Sequence, residues 1–204
     1  MPDRAEPTPP AAPGSTARSR RTDPERRDRI VDACLDLIAR SGVAGTSHRK
    51  VAAAADVPLG SMSYHFDGMD ELLREAFTRF SNSVAETFEQ RMEAAETLEE
   101  ARAAVVALVS EDVFGSPREL VLTHELYTLA ARDARFRDLT NAWMARSRHA
   151  LERHFDPLTA RLLDALIEGL TIHRALDTQP HDAAVAAAAV ARLTQDTGTG
   201  GSPR

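Results

Sequence analysis

The chain has 204 residues, of which 43% are hydrophobic and 27% are charged, and its formal net charge is −6. This composition is ordinary for a soluble globular protein, and the length suits one full-sized domain or a small domain joined to a medium one. No apolar run approaches the roughly 20 residues that span a bilayer, and residues 1–22 lack the apolar core of a secretory signal. We therefore expect a soluble cytoplasmic protein.

The single cysteine, Cys34, excludes an intramolecular disulfide and a cysteine-based metal cluster within one chain. It falls on an apolar helical stripe, which predicts a small buried side chain. No metal ion and no cofactor are predicted.

Charge is distributed unevenly along the chain. Residues 1–50 carry ten basic and seven acidic side chains, whereas the rest carries 15 basic and 24 acidic ones. A basic N-terminal part on an acidic body suits a protein whose one end approaches nucleic-acid phosphates.

The pattern between two polar tails is helical. Residues 1–22 and 196–204 are rich in Pro, Gly, Ser and Thr and are predicted to be disordered. A first helix is predicted over 24–40, with Asp23 as its N-cap and Gly42 as its stop signal. Two short helices over 47–55 and 58–66 follow, separated by a turn at Asp56-Val57. This is the plan of a helix-turn-helix unit, whose second helix can enter a DNA major groove about 12 Å wide.

The remaining helices are also placed by periodicity and capping signals. Ser116-Pro117 and Asp156-Pro157 each read as an N-cap followed by proline in the first turn. Strand signals are missing from the sequence. Helices are predicted over 69–96, 98–113, 117–131, 134–155, 157–176 and 181–194.

A set of short motifs identifies the N-terminal unit further. Arg49-Lys50-Val51-Ala52 is followed by a helix that begins at Gly60-Ser61 and ends in Tyr64-His65-Phe66, and Glu71-Leu72-Leu73 comes next. With these motifs the stretch 30–73 resembles the DNA-binding domain of the TetR family of transcriptional regulators. The resemblance implies an all-α fold with an N-terminal three-helix helix-turn-helix DNA-binding domain over 23–68. A larger C-terminal helical ligand-binding and dimerisation domain then covers 69–195.

The resemblance and the chemistry of the side chains together predict the DNA contacts. Arg49 is the candidate for base reading, because a guanidinium pairs with guanine O6 and N7. Lys50 and the amides near Ser47 are expected to hold phosphates. The complete predicted surface comprises Ser47, His48, Arg49, Lys50, Leu59, Gly60, Ser61, Ser63, Tyr64 and His65.

Two positions depart from the family pattern. Met69 stands where the family often has a phosphate-gripping lysine, and His48 stands where an apolar residue is common. His48 is either a replacement phosphate contact or a partly buried packing residue.

An N-terminal arm is expected to touch phosphates or the minor groove through some of its arginines, with a solvated charged tail as the alternative. These arginines are Arg18, Arg20, Arg21, Arg26, Arg27 and Arg29.

The C-terminal part supplies candidates for a dimer interface and a ligand pocket. A broad apolar stripe over 158–170 and an Ala- and Val-rich segment over 183–191 predict an interface between two copies, and an ordinary core helix pair is the alternative. The predicted interface residues are Leu162, Leu166, Leu170, Ala186 and Val190.

Polar and aromatic residues that interrupt apolar helices predict a small-molecule pocket. They are His124, Tyr127, Asn141, Trp143 and His173.

The sequence therefore predicts a ligand-responsive transcriptional regulator that acts as a homodimer on double-stranded DNA. We expect a repressor that a small-molecule inducer releases from a palindromic operator; activation of transcription stays open. The alternative is a constitutive helix-turn-helix protein without a ligand. An enzyme is not predicted, because nucleophile-elbow, phosphate-loop and zinc-protease motifs are missing from the sequence.

Overall fold

The computed structural model describes residues 25–112, 115–178 and 182–195, and all regular secondary structure in these ranges is helical. The predicted tails 1–22 and 196–204, the N-cap Asp23 and the arginines Arg18, Arg20 and Arg21 lie outside the described residues. The helices are α1 (Arg26–Ser41), α2 (His48–Ala54), α3 (Leu59–His65), α4 (Met69–Glu93), α5 (Leu98–Ala107), α6 (Pro117–Ala130), α7 (Ala134–Leu151), α8 (Pro157–Leu176) and α9 (Ala183–Leu193). A π-helical turn, Leu108–Asp112, follows α5.

The predicted all-α fold is confirmed, and most helix ends lie within a few residues of their predicted positions. The Ser116 side chain accepts from the Glu119 amide at the start of α6. The Asp156 side chain accepts from two amides at the start of α8. Such caps satisfy amides that have no partner inside the helix, which is why they mark helix starts so reliably. No helix in the described ranges is both long enough and apolar enough to cross a membrane.

The interior consists of two hydrophobic clusters that share α4. The first joins α1, α2, α3 and the N-terminal half of α4 to one face of α6 and the start of α7, and it includes Cys34, Phe77 and Leu126. The second joins the C-terminal half of α4, from Phe88 onward, to α5, α8, α9 and the end of α7. Burial raises the pKa of the Cys34 thiol to about 12, as expected for a thiol that serves as a core side chain.

The first cluster crosses the predicted domain boundary at residue 68. Leu72, Phe77 and Phe80 of α4 pack in the same core as α1 to α3, and so do Leu122 and Leu126 of α6. Three short helices expose too much surface to enclose a core by themselves. The helix-turn-helix unit is therefore built onto the C-terminal helices.

The predicted dimer-interface residues do not share one environment. Leu162 is 45% exposed, and Leu166 and Leu170 are half-buried against the second cluster. Ala186 and Val190 are buried in that cluster within one chain, which favours the alternative of an ordinary core helix pair for these two residues. Nearly every position of α9 is Ala or Val, so composition does not distinguish its inward face from its outward face.

Gly42 ends α1 in a backbone conformation that favours glycine. Its φ is +69° and its ψ is 172°, a combination that is essentially restricted to glycine. Its amide donates to the Ile38 carbonyl over 2.8 Å and closes α1. A Cβ atom at this position would lie 2.5 Å from the Glu125 Oε1 atom of α6. The backbone turn at the end of α1 therefore requires glycine, whereas the Glu125 carboxylate is the end of a flexible side chain that can move aside.

We expect Gly42→Ala to lower the free energy of unfolding by about 1–3 kcal/mol, because alanine is strained at this φ and meets the Glu125 carboxylate. Urea denaturation followed by circular dichroism measures the change. Gly60→Ala is the matched control, because no atom lies within 4 Å of a Cβ built there and alanine favours the helix. Equal urea midpoints for the two variants would contradict this account of Gly42.

Candidate DNA-binding surface and ligand cavity

Helices α2 and α3 are held by their apolar faces. A turn joins them in which Asp56 has a φ of +52°, a conformation that aspartate tolerates better than most residues. The Val57 amide donates to the Ala52 carbonyl over 3.0 Å. Val51, Ala52 and Met62 are buried in the first cluster. The opposite faces of both helices are therefore directed outward together.

The outward faces carry most of the predicted DNA-binding residues. Tyr64 is 85% exposed and Leu59 is 55% exposed, which is unusual for large apolar side chains without a partner. Neither α2 nor α3 contains a carboxylate, while α2 contributes Arg49 and Lys50. The Lys50 Nζ atom donates to the Gly45 carbonyl over 2.5 Å. The exposed members of the predicted surface are Ser47, Arg49, Lys50, Leu59, Gly60, Ser63 and Tyr64.

Three predicted DNA contacts are placed differently. Ser61 is only 9% exposed, because it lies beside Met62 on the inward face of α3, so the expected contact of its hydroxyl with DNA is not supported. His48 is half-buried and its Nε2 atom has no hydrogen-bond partner in the described part of the chain, which favours the packing role. His65 is half-buried beside Tyr64. Burial, together with Arg26 and Arg27, lowers its pKa and favours the neutral ring.

Arg27 does not belong to a free arm. Its guanidinium carbon lies 5.0 Å from the centre of the Phe66 ring, and the guanidinium forms an ion pair with Glu75 of α4. It thus joins α1, the end of α3 and α4. A phosphate contact by the arm would have to come from other arginines.

A cavity lies between α4, α6, α7 and α8. Its volume is about 50 Å³, which is smaller than the roughly 300–1,000 Å³ of pockets that enclose a drug-sized ligand, so such a ligand would have to move the lining side chains apart. Val84 and Trp143 pack against the first cluster, whereas Phe88 and Ile167 belong to the second. The cavity is therefore at the junction of the two clusters. It is lined by Val84, Phe88, Tyr127, Trp143, Met144, Ser147, Asp164, Ile167 and Glu168.

Two of the five predicted ligand-binding residues meet in this cavity. The rings of Tyr127 and Trp143 are 6.3 Å apart. His124 lies in a separate groove with Leu120 and Leu176, and its Nδ1 atom is 2.8 Å from the Leu120 carbonyl oxygen.

Asn141 and His173 are exposed and do not line the cavity, so the prediction that they form its polar anchors is corrected. A helix turns by about 100° per residue. Asn141, two positions before Trp143, consequently faces the other side of α7. His173 is likewise on a different face of α8 from Glu168, five positions earlier.

The polar anchors are instead Asp164 and Glu168, which the sequence reasoning missed. They are one helical turn apart on α8, so they point to the same side. The available signal was that they are the only two carboxylates within α8, which is otherwise mostly apolar.

The two carboxylates have different surroundings. Burial raises the pKa of Asp164 to about 6, although an Arg148 nitrogen lies 3.3 Å from its Oδ2 atom. Burial, together with the nearby Glu168 carboxylate, raises the pKa of Tyr127. The cavity wall is thus acidic and aromatic. Within the described ranges, no group of three or more His, Cys, Asp or Glu side chains is arranged to hold a metal ion.

Ion pairs connect the helices around the cavity. Arg146 of α7 donates to both Glu89 oxygens over 2.7 Å and to Asn82 over 2.9 Å, which joins α7 to α4. Arg118 of α6 donates to Asp36 of α1 over 2.9 Å. Exposed pairs of this kind contribute little stability individually. The Arg118–Asp36 pair shows that α6 contacts α1, and Arg79 of α4 likewise pairs with Asp28 and Asp32 of α1.

Comparisons with known proteins agree with this architecture. Residues 30–76 match the family of bacterial regulatory proteins, tetR family. The transcriptional regulator SCO7518 from Streptomyces coelicolor A3(2) is 57% identical, with 84% of this chain and 99% of that chain covered and a TM-score of 0.79. SCO1917, a TetR-family member from Streptomyces coelicolor A3, is 33% identical, with 83% of this chain and 98% of that chain covered and a TM-score of 0.67. The multidrug binding protein EbrR, in complex with ethidium, is 34% identical, with 83% of this chain and 98% of that chain covered and a TM-score of 0.69.

Matches to curated regulators are shorter. YttP of Bacillus subtilis is 32% identical over 63 residues, which are 31% of this chain and 30% of YttP. LuxR of Vibrio harveyi is 26% identical over 99 residues, which are 47% of this chain and 48% of LuxR. The matched part of this chain thus spans less than half of either relative.

The helical fold, the exposed helix-turn-helix and the matches define a DNA-binding transcriptional regulator. The identity to SCO1917 extends over nearly that whole protein and beyond the DNA-binding unit. This chain belongs to the TetR family of bacterial transcriptional regulators, and the resemblance seen in the sequence is confirmed.

Asp164→Asn tests the electrostatics of the cavity. A carboxyl whose pKa is higher in the folded than in the unfolded protein destabilises the fold when ionised, and this cost disappears as the pH falls below both values. We expect the substitution to raise the free energy of unfolding at pH 8, by at most about 3 kcal/mol given the rise in pKa from 3.8 to about 6. Near pH 4 the gain should be about 0.5 kcal/mol.

Urea denaturation at the two pH values measures this difference. Asp138→Asn, an exposed position on α7, is the control and should change stability little at either pH. A loss of stability for Asp164→Asn at pH 8 would show that the ion pair with Arg148 outweighs the cost of burial.

Proposed function

We propose that this regulator is a repressor that binds a palindromic operator as a homodimer and leaves it when an organic small molecule fills the cavity between Tyr127 and Trp143. The observation that carries the proposal is the position of the cavity on α4. Val84 and Phe88 line it, and the same helix supplies Leu72 and Phe77 to the core under α1 to α3. A ligand that displaces α4 therefore shifts the DNA-binding unit.

Release requires that the ligand bind the DNA-incompetent arrangement more tightly than the competent one. A differential affinity of about 1–3 kcal/mol changes operator affinity roughly 5- to 150-fold. A constitutive DNA-binding protein would have a filled core between α4 and α7 instead of the cavity. The relative EbrR is a multidrug binding protein with complexes of imidazole, ethidium, proflavin and malachite green, which supports a small-molecule role for the cavity in this chain.

On DNA, we assign base reading to Arg49 and close approach to Gly60. Ser47, Lys50 and Tyr64 have exposed polar groups that suit phosphate contacts. A carboxylate on this surface would repel the DNA phosphates, and neither α2 nor α3 contains one. Met69 is half-buried against the first cluster and so supplies no replacement for the lysine that the family often has there.

A second copy is expected on the outer face of α8 and α9. Leu158 is 67% exposed, Leu162 is 45% exposed and Val185 is 50% exposed. These side chains form part of an apolar surface, which a partner copy would cover. A symmetric dimer presents two reading helices about 34 Å apart, as a palindromic operator requires.

Arg49→Ala tests the assignment of base reading. Selection of bound sequences from random DNA first provides the operator, which we expect to be a palindrome. Fluorescence anisotropy should then show an affinity loss of about 1–3 kcal/mol and relaxed preference at one base pair in each half-site. Arg153→Ala, an exposed arginine just after the end of α7, is the charge-matched control. Unchanged base preference for Arg49→Ala would remove it from direct readout.

The selected operator also tests the proposed response. An organic compound that binds the cavity should dissociate the complex in the same anisotropy assay. Cavity binding without loss of operator affinity would favour the constitutive alternative.

Leu162→Glu is expected to give monomers that bind a palindrome poorly, because a charge placed in an apolar interface is not paired. Light scattering after size exclusion measures the molar mass. Leu98→Glu is a closely matched control, since Leu98 of α5 is 44% exposed, and it should leave the dimer intact. A dimer that persists in Leu162→Glu would place the interface elsewhere.

A further inference from the structure

The cavity combines aromatic walls with negative charge. Trp143 meets Phe80 edge to face, with ring centres 6.0 Å apart and planes at 77°, and this contact holds the indole against the first cluster. Tyr127 lies beside it, and Phe88 completes the aromatic lining. The charged lining residues are Asp164 and Glu168, and the lining includes no arginine or lysine.

The two acids are not equivalent. Asp164 has a cationic neighbour, Arg148, at 3.3 Å, so much of its charge is balanced within the protein. In the described ranges no ion pair joins Glu168 to a cationic side chain, and its neighbour in the cavity wall is the neutral Tyr127 hydroxyl. The uncompensated negative charge of the cavity is therefore at Glu168, next to two aromatic rings.

This environment discriminates between ligand charges. An anion would face two carboxylates without a cation in the wall. A neutral apolar ligand would cover Glu168 without pairing its charge, and burial of an unpaired carboxylate is costly. A cation gains from the carboxylate and also from the faces of tryptophan and tyrosine, which attract positive charge.

We propose that the cavity binds an organic cation with a quaternary or protonated nitrogen on an apolar body, with Glu168 as its counter-charge and Trp143 and Tyr127 as its aromatic walls. This rests on the proposed function in one respect, that the cavity is the effector site. The binding step itself can be measured without DNA.

The test uses a pair of ligands with the same shape. Benzyltrimethylammonium is compared with neopentylbenzene, in which carbon replaces the charged nitrogen. Trp143 is the only tryptophan of the chain, so its fluorescence reports occupancy of the cavity, and calorimetry of the cation gives an independent dissociation constant. At pH 8 we expect the cation to bind the full-length protein about tenfold or more tightly than its neutral analogue.

Three variants separate charge from shape. Glu168→Gln should abolish most of the preference for the cation and leave the affinity for the neutral analogue nearly unchanged. Glu168→Asp keeps the carboxylate and should keep a clear preference. Asp138→Asn removes one negative charge from the exposed part of α7 and should bind both ligands like the unaltered protein. Circular dichroism and the urea midpoint confirm that each variant is folded.

Several results would overturn the proposal. These are equal affinity for the two ligands, a preference for the cation that persists in Glu168→Gln, or no binding of the cation at millimolar concentration. Operator release is measured separately and distinguishes this inference from the proposed function. If the cation binds but does not release the operator, the effector role is refuted and the cation site still stands. If only neutral or anionic compounds release the operator, the cation site is refuted and the proposal of a ligand-responsive repressor still stands.

Discussion

The continuity of α4 through two hydrophobic clusters is the constraint on which the rest of the structure depends. Phe77 is buried in the cluster under the DNA-binding helices, and Phe88 belongs to the cluster around α8 and α9. The two residues are eleven positions apart, or about 16 Å along the helix axis. A hydrogen-bonded helix of this length moves nearly as one body, so a change of packing at one end displaces side chains at the other.

The DNA-binding unit depends on this helix for its own stability. Its core is completed by side chains of α4, α6 and α7, and Arg27, although it belongs to the basic N-terminal part of the chain, stacks on Phe66 and pairs with Glu75. The Glu125 side chain of α6 lies next to Gly42 at the end of α1. The orientation of α2 and α3 is therefore set by the helices that line the cavity, and a separate hinge between two independent domains is not required.

The lining of the cavity combines carboxylates with aromatic rings. Asp164 and Glu168 place carboxylates where a closely packed core would have apolar side chains, and burial raises the pKa of Asp164 to about 6. The Asp164 carboxylate therefore reduces stability when it is ionised. Under the proposed function, a bound ligand compensates this charge beside Tyr127 and Trp143.

The sequence by itself determined the all-helical fold, nearly all helix ends, the outward position of Arg49 and Tyr64, and the proximity of Tyr127 and Trp143 to a cavity. These features depend on capping groups, on helical periodicity and on a local motif, all of which act within a few residues. Only the tertiary structure decided that Ser61, Ala186 and Val190 face inward, and that Asp164 and Glu168 replace Asn141 and His173 as polar anchors. Periodicity shows which residues share a face of one helix, whereas burial and charge balance depend on which helix that face meets.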